Sequence, residues 1–348
     1  MKAKNFVFSV TALVLTALTA AACINIVLDP LFLYHQPMFG LQPVITNERY
    51  QNAGIAKNFD YDNVIIGNSY SENFRASDFD RGFGGRTIKL TASGSHTVEW
   101  TYLLEIISER EKSPAKIVFN IDPYIFQSSA TKMKHQLPTY LYDKNILNDV
   151  NYLFNFSIMK DYTLDMLTSN RDNEIPDYDK AFMWNDDVGS GKEFVLSHYE
   201  RPEITNETYS VNDAVDLAKE NIKNLTPYIE GMRNTEYNFY FSPISMLYWD
   251  SQYRINKVEL WKAVYTEVCE LLLQYENVNI FLWTDDDMFE IMSDLENYTD
   301  DTHYSPLVSK EIANRICSGQ GQLTNYNYTK EINKMFSYIN SFDYETLF

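Results

Sequence analysis

Cysteine is nearly absent. Three thiols in 348 residues, at 23, 269 and 317, give no disulfide framework. A Cys269–Cys317 bond stays open in an oxidising compartment, but two separate buried thiols are the expectation. No Cys/His spacing matches a zinc site, and no cofactor is expected. Basic charge is also short: 29 Lys and Arg stand against 48 Asp and Glu, a net charge of −19. Nucleic acid, whose phosphates demand a basic surface, is thereby excluded as a partner. Charge-driven docking on anionic lipid headgroups is excluded by the same balance. Internal repeats are absent. At 45% hydrophobic and 22% charged the chain is not disordered. The 26 Tyr and 21 Phe suit a folded core and its surface, and also a groove facing carbohydrate.

What is present begins with one long apolar run. Met1-Lys2-Ala3-Lys4-Asn5 is basic, and Phe6 to Leu28 carries no charge. Twenty-three helical residues suffice to cross ~30 Å of hydrocarbon. Positive charge before the run and Asp29-Pro30 after it put the N-terminus inside and the bulk outside. The expectation is an anchor over 1–30 and a single-pass membrane protein with an extracytoplasmic domain. A signal peptide cleaved near Ala20–Ala22, and lipidation at Cys23, are the competing readings. The uncleaved anchor is preferred because apolar residues continue through Cys23-Ile24-Asn25-Ile26-Val27-Leu28.

After a connector over 31–57 the pattern changes. Val64–Ile66, Thr87–Leu90, Lys116–Ile121, Tyr237–Phe241 and Val278–Trp283 are short apolar runs typical of buried strands. Helical patterns alternate with them, at Thr97–Arg110, Val211–Met232 and Glu259–Tyr275. This predicts an α/β domain over 58–348: a three-layer α/β/α sandwich on a five-stranded, mainly parallel sheet. Residues 126–234 interrupt it. They are too many for a loop, and are expected as an insertion over the active-site edge, after strand three.

Two blocks carry chemistry. In the first, Val64-Ile65-Ile66 runs into Gly67-Asn68-Ser69 and then Ser71-Glu72-Asn73-Phe74. A serine there sits at the carboxyl end of a strand and beside a helix start, where ligands bind in open α/β sheets. The second is Asp300-Asp301-Thr302-His303, just before a helical run with Val308, Ile312 and Ile316 on one face. A carboxylate three residues before a histidine can accept Nδ1–H and leave Nε2 facing a serine, which needs such a base. One residue of slip would make Asp301 the orienting group instead of Asp300. The other histidines, 35, 96, 135 and 198, lack a carboxylate at that offset, though His96 lies close to the expected pocket rim.

An apolar strand ending in Gly-x-Ser, with Asp-x-x-His before the last helix, resembles the SGNH (GDSL-type) hydrolase superfamily. It is most similar to the membrane-anchored bacterial branch that includes proteins of teichoic-acid D-alanylation and polysaccharide O-acetylation. The resemblance covers Asp62 to Ile316. Gly67-Asn68-Ser69 stands where the family has Gly-Asp-Ser. The resemblance implies catalysis by Ser69, His303 and Asp300, with oxyanion donors from Ser69 itself and Gly94. Asn120 is the candidate third donor, although the family's Gly-x-Asn-Asp is missing around it. Implied too are ester cleavage or acyl transfer on an acylated glycan or cell-envelope polymer, and a membrane-bound acyltransferase as partner. The opposing expectation is a non-catalytic scaffold or binding partner on the same fold.

Overall fold

A computed structural model describes residues 2–185 and 188–348. They fall into two compact units. One is Tyr61–Gln136 with Asp179–Phe348; the other is Met1–Asp60 with Leu137–Tyr178. The insertion expected over 126–234 is therefore shared between them.

The first unit is built on the expected mainly parallel sheet. Its strands are β1 (Asn63–Gly67), β2 (Thr87–Thr91), β3 (Lys116–Ile121), β4 (Glu236–Phe241), β5 (Val278–Phe281) and β6 (Gln322–Leu323). They lie in the order β2-β1-β3-β4-β5-β6. The first five run parallel, with Val64 opposite both Ile88 and Ile117; β6 is antiparallel to β5. β1 and β2 are buried at every position, as strands covered on both faces must be. β6 adds a sixth strand to the five expected. Two residues are too short a run to show a strand period.

Helices pack about this sheet. Thr97–Ser108, Val211–Lys223, Val258–Leu272 and Tyr328–Ser341 form one contiguous group, and Ala76–Phe83 packs with Pro306–Ser318. The helix expected over Val211–Met232 is two, Val211–Lys223 and Thr226–Gly231. Pro227, which lacks an N–H, lies in the first turn of the second. Much of the aromatic content fills the core. Trp100, Trp249, Trp283, Tyr240 and Tyr265 are fully buried, and Phe119 stacks on Phe239 at 5.1 Å. Cys269 and Cys317 are free thiols.

The order of the strands locates a cleft. The chain leaves β1 for β2 on one side and later returns to β3 on the other. At such a reversal the loops after the two central strands part, leaving a crevice at their carboxyl ends.

In the second unit the apolar run is helix α1 (Lys2–Leu28), of mean hydropathy 2.2 over its most apolar stretch. It is long and apolar enough to cross a membrane. The connector contains α2 (Glu48–Asn58), capped by Asn47, whose side chain accepts from Tyr50 N–H. Gln51 on α2 ties the connector together. Its amide donates to Pro30 and Val44 carbonyls and accepts from the N–H groups of Thr46 and Asn47.

Candidate active site

Helix α3 (Ser69–Glu72) is a single turn starting directly after β1. Asn68 caps it, its Oδ1 accepting from Tyr70 N–H at 3.2 Å. The turn is held from beneath by a buried polar cluster. Asn120, on β3, accepts from Asn68 N–H and Ser71 Oγ, and donates to Asn68 Oδ1 at 3.0 Å and Asp122 Oδ2 at 2.6 Å. Asn68 Nδ2 donates to the same Asp122 oxygen at 3.0 Å. The other oxygen of Asp122 caps the turn Pro123–Phe126 by accepting from Tyr124 and Ile125 N–H. Burial raises the Asp122 carboxyl to about 6 against these hydrogen bonds. Gly67 admits this arrangement, because a Cβ there would overlap Asn120 Oδ1 and Ser71 Oγ.

His303 comes from the loop before Pro306–Ser318, closed by the Tyr298–Tyr304 bridge. Asp300 organises that loop. Its Oδ1 accepts from Thr302 N–H and His303 N–H at 2.8 and 2.6 Å, and its Oδ2 lies 2.7 Å from His303 Nδ1. One carboxylate thus fixes both the backbone turn and the imidazole. Burial opposes the charged form of Asp300, but the hydrogen bonds and charge of His303 outweigh it and hold the carboxyl at about 2. Nε2 of His303 is 2.8 Å from Ser69 Oγ. The ring is clamped by Tyr70 at 4.9 Å and edge-on by Trp184 at 5.0 Å. Among the described residues Asp301 makes no hydrogen bond to the imidazole; its carbonyl accepts from Ser245 Oγ. Burial and the neighbouring Asp300 charge push the Asp301 carboxyl up.

Ser69, His303 and Gly94 line one cavity of about 210 Å³, with Tyr70, Pro123, Tyr124, Gln127, Lys134, Tyr248 and Thr302. Gly94 follows β2 in the left-handed region, with φ +61°, open to glycine at no steric cost. The stem of Lys134 crosses it where a Cβ would be. The loop is tied to β1 by Ser95 Oγ and Ala92 N–H, both donating to Gly67 O at 3.0 Å. Among the described residues neither Gly94 N–H nor Ser69 N–H has a hydrogen-bond acceptor. A serine hydrogen-bonded to an imidazole, the imidazole to a carboxylate, and free N–H donors on the same cavity can together carry out nucleophilic acyl substitution.

Asn120 requires a correction. It is fully buried in β3, and both its amide hydrogens are engaged by Asn68 and Asp122. It supports the Ser69 turn from below and does not face the cavity. His96 is buried and stacks on Tyr124 at 4.7 Å, behind the cavity wall.

Sequence reasoning missed Asp122, Trp184 and Lys134 as site residues. Tyr248 is nearly buried on the cavity wall, and its hydroxyl has no partner among the described residues. Tyr248 lies in Phe241–Trp249, a run after a strand end whose aromatic residues are expected to pack against the insertion or form an acyl or sugar subsite. No such signal existed for Trp184 or Lys134, which arrive from the insertion.

No family model matches the chain, and no curated protein matches it. Among solved structures it is similar to one described as that of "a putative platelet activating factor from Streptococcus pneumonia". Identity is 13% and the TM-score 0.39, over 78% of this chain and 89% of that one. A likeness of that size carries no argument about activity.

Proposed function

We propose that the chain is a membrane-anchored, extracytoplasmic serine esterase or O-acyltransferase acting on an acylated glycan or other cell-envelope polymer. The observation that carries this reading is the unbroken relay from Ser69 Oγ to His303 Nε2 and from His303 Nδ1 to Asp300, at 2.8 and 2.7 Å. In the proposed reaction Ser69 Oγ attacks the acyl carbonyl while His303 takes its proton. The tetrahedral oxyanion is received by the N–H groups of Ser69 and Gly94. His303 returns the proton to the leaving oxygen, and an acyl-Ser69 ester forms. Water or a glycan hydroxyl, deprotonated by His303, then attacks that ester and restores Ser69. Asp300 keeps Nε2 free of its proton at rest and stabilises the imidazolium. The aromatic cavity wall, with the Lys134 ammonium at its edge, offers surfaces for a sugar ring and its polar substituents.

The test is covalent labelling by a fluorophosphonate, with hydrolysis of a short acyl ester measured alongside. Labelling is expected on Ser69, and Ser69→Ala should abolish both signals while the protein stays folded. Asp300→Asn should lower kcat by about 10³–10⁴-fold, and Asp301→Asn by far less. Absence of labelling in the folded wild-type protein would favour the scaffold reading.

A further inference from the structure

We propose that the segment 146–164 is a second membrane-contacting element, seated at the lipid headgroup–acyl boundary beside the outer end of α1. This goes beyond the proposed reaction and rests on α1 being a seated anchor.

The first observation is Asn25. It is a polar residue only three positions before the end of the apolar run, so about 4.5 Å below it along the helix. At that depth water is scarce, and an amide needs protein partners. All of them come from one segment. Asn25 Nδ2 donates to Tyr152 O and Leu153 O at 3.4 and 3.1 Å, and Asn25 Oδ1 accepts from Thr163 Oγ1 at 3.2 Å. Tyr152 Oη donates to Asn25 O, and lies 2.7 Å from Asp29 Oδ1 just past the helix. These bonds fix residues 152–163 at the level of the last turn of α1.

The second observation is what that segment shows on its outside. Ile146, Leu147 and Phe156 are 77, 79 and 75% exposed, and Val150, Phe154 and Leu164 are exposed too. Residues 137–178 expose seven large apolar side chains, as many as the whole sheet-bearing unit. Scattered single ones are ordinary on a soluble surface, whereas this density in one short segment is not. Helical turns here are short, at Val150–Leu153, Phe156–Ile158 and Met159–Thr163. Asn145, Asn151, Asn155 and Ser157 alternate with the apolar residues. Such mixed chemistry suits the boundary layer, where apolar groups reach acyl chains and amides meet headgroups. The level set by Asn25 selects lipid as the occupant. Attachment is apolar, so the net charge of −19 does not oppose it.

The test uses the full-length chain reconstituted in vesicles of equal parts phosphatidylcholine and phosphatidylglycerol. Single-cysteine forms carry a bimane label at Cys23, at Leu147→Cys or at Phe156→Cys, the other native thiols being replaced by alanine. Lipids bearing a nitroxide near the headgroup or near the bilayer centre serve as quenchers. Quenching at Cys23 reports the seated anchor. The proposal expects labels at 147 and 156 to be quenched severalfold more by the shallow nitroxide than by the deep one. Labels quenched by aqueous iodide and indifferent to lipid nitroxides would overturn it. Labels shielded from both would also overturn it, showing a protein cover, whether a second copy or a partner. Lipid quenching absent at all three positions would overturn the anchor reading together with the proposal.

Discussion

At the scale of single residues, Asn68 explains more than its neighbour Ser69. It caps α3 with its carbonyl oxygen and donates to Asp122 with its amide, at 3.2 and 3.0 Å. A carboxylate can do only the first. An aspartate at 68 would set two carboxylates oxygen to oxygen in a buried site. At such range like charges cost about 4 kcal/mol at an effective dielectric constant near 20, unless one takes up a proton. Asn68→Asp is therefore expected to lower stability by roughly 2–4 kcal/mol and to depress ester hydrolysis. Adding Asp122→Asn should restore part of both, because one group of the pair can again donate. Urea melts and kcat/KM on the same preparations check this, and an unperturbed Asn68→Asp protein would refute it. Asn68 is thus read as one half of a matched pair with Asp122. That pairing spans 54 residues, so nothing local in the sequence announces it.

At the scale of elements, the turn from β1 into α3 works only because Gly67 leaves room for β3 and for the turn of α3 itself. Gly67→Ala would push a methyl group into Asn120 and Ser71. The expected cost is about 1–3 kcal/mol, with loss of activity from a displaced Ser69. Gly231→Ala, at the end of a surface helix with open space around the site, should be neutral or stabilising by about 0.4–1 kcal/mol. Thermal unfolding of the two variants measures the contrast; equal behaviour would mean that close packing under α3 does not matter. The legible parts of this architecture were those set by local pattern. Val64–Ile66 and Lys116–Ile121 declare buried strands by their β-branched and aromatic side chains. Ser69 stands out at an abrupt change from apolar run to turn, and His303 by the carboxylate three residues before it, just ahead of a helical run. The support beneath them was not legible. Asn120 was a candidate oxyanion donor only through the resemblance, although the run Lys116–Ile121 already placed it inside a strand; β3 does run through Ile121, and its amide is taken up by Asn68 and Asp122. Trp184 reaches His303 across 119 positions of chain, and sequence spacing offers no handle on such a contact.

At the scale of the whole molecule, sequence pattern foretold an α/β sandwich and a long apolar N-terminal helix. It could not foretell that the middle of a long insertion joins the N-terminal segment in a unit of its own. The hydrogen bonds at Asn25, Asp29 and Tyr152 do that work, and each joins positions more than a hundred residues apart. They also bear on the fate of the N-terminus. N-terminal sequencing of protein extracted from membranes is expected to find residues ahead of Ala20, and a start at Ala22 or Cys23 would overturn this. The same bonds set a timetable during synthesis. Asn25 and Thr163 are separated by 138 residues. At about 5–20 residues per second a ribosome needs roughly 7–28 s to cover that distance. For that interval the amide of Asn25 is already made while its final partners do not yet exist. In the proposed membrane-anchored protein, the nascent α1 waits with a polar group served only by water, lipid headgroups or the insertion machinery, and a ribosome stalled before Tyr152 would prolong that state indefinitely.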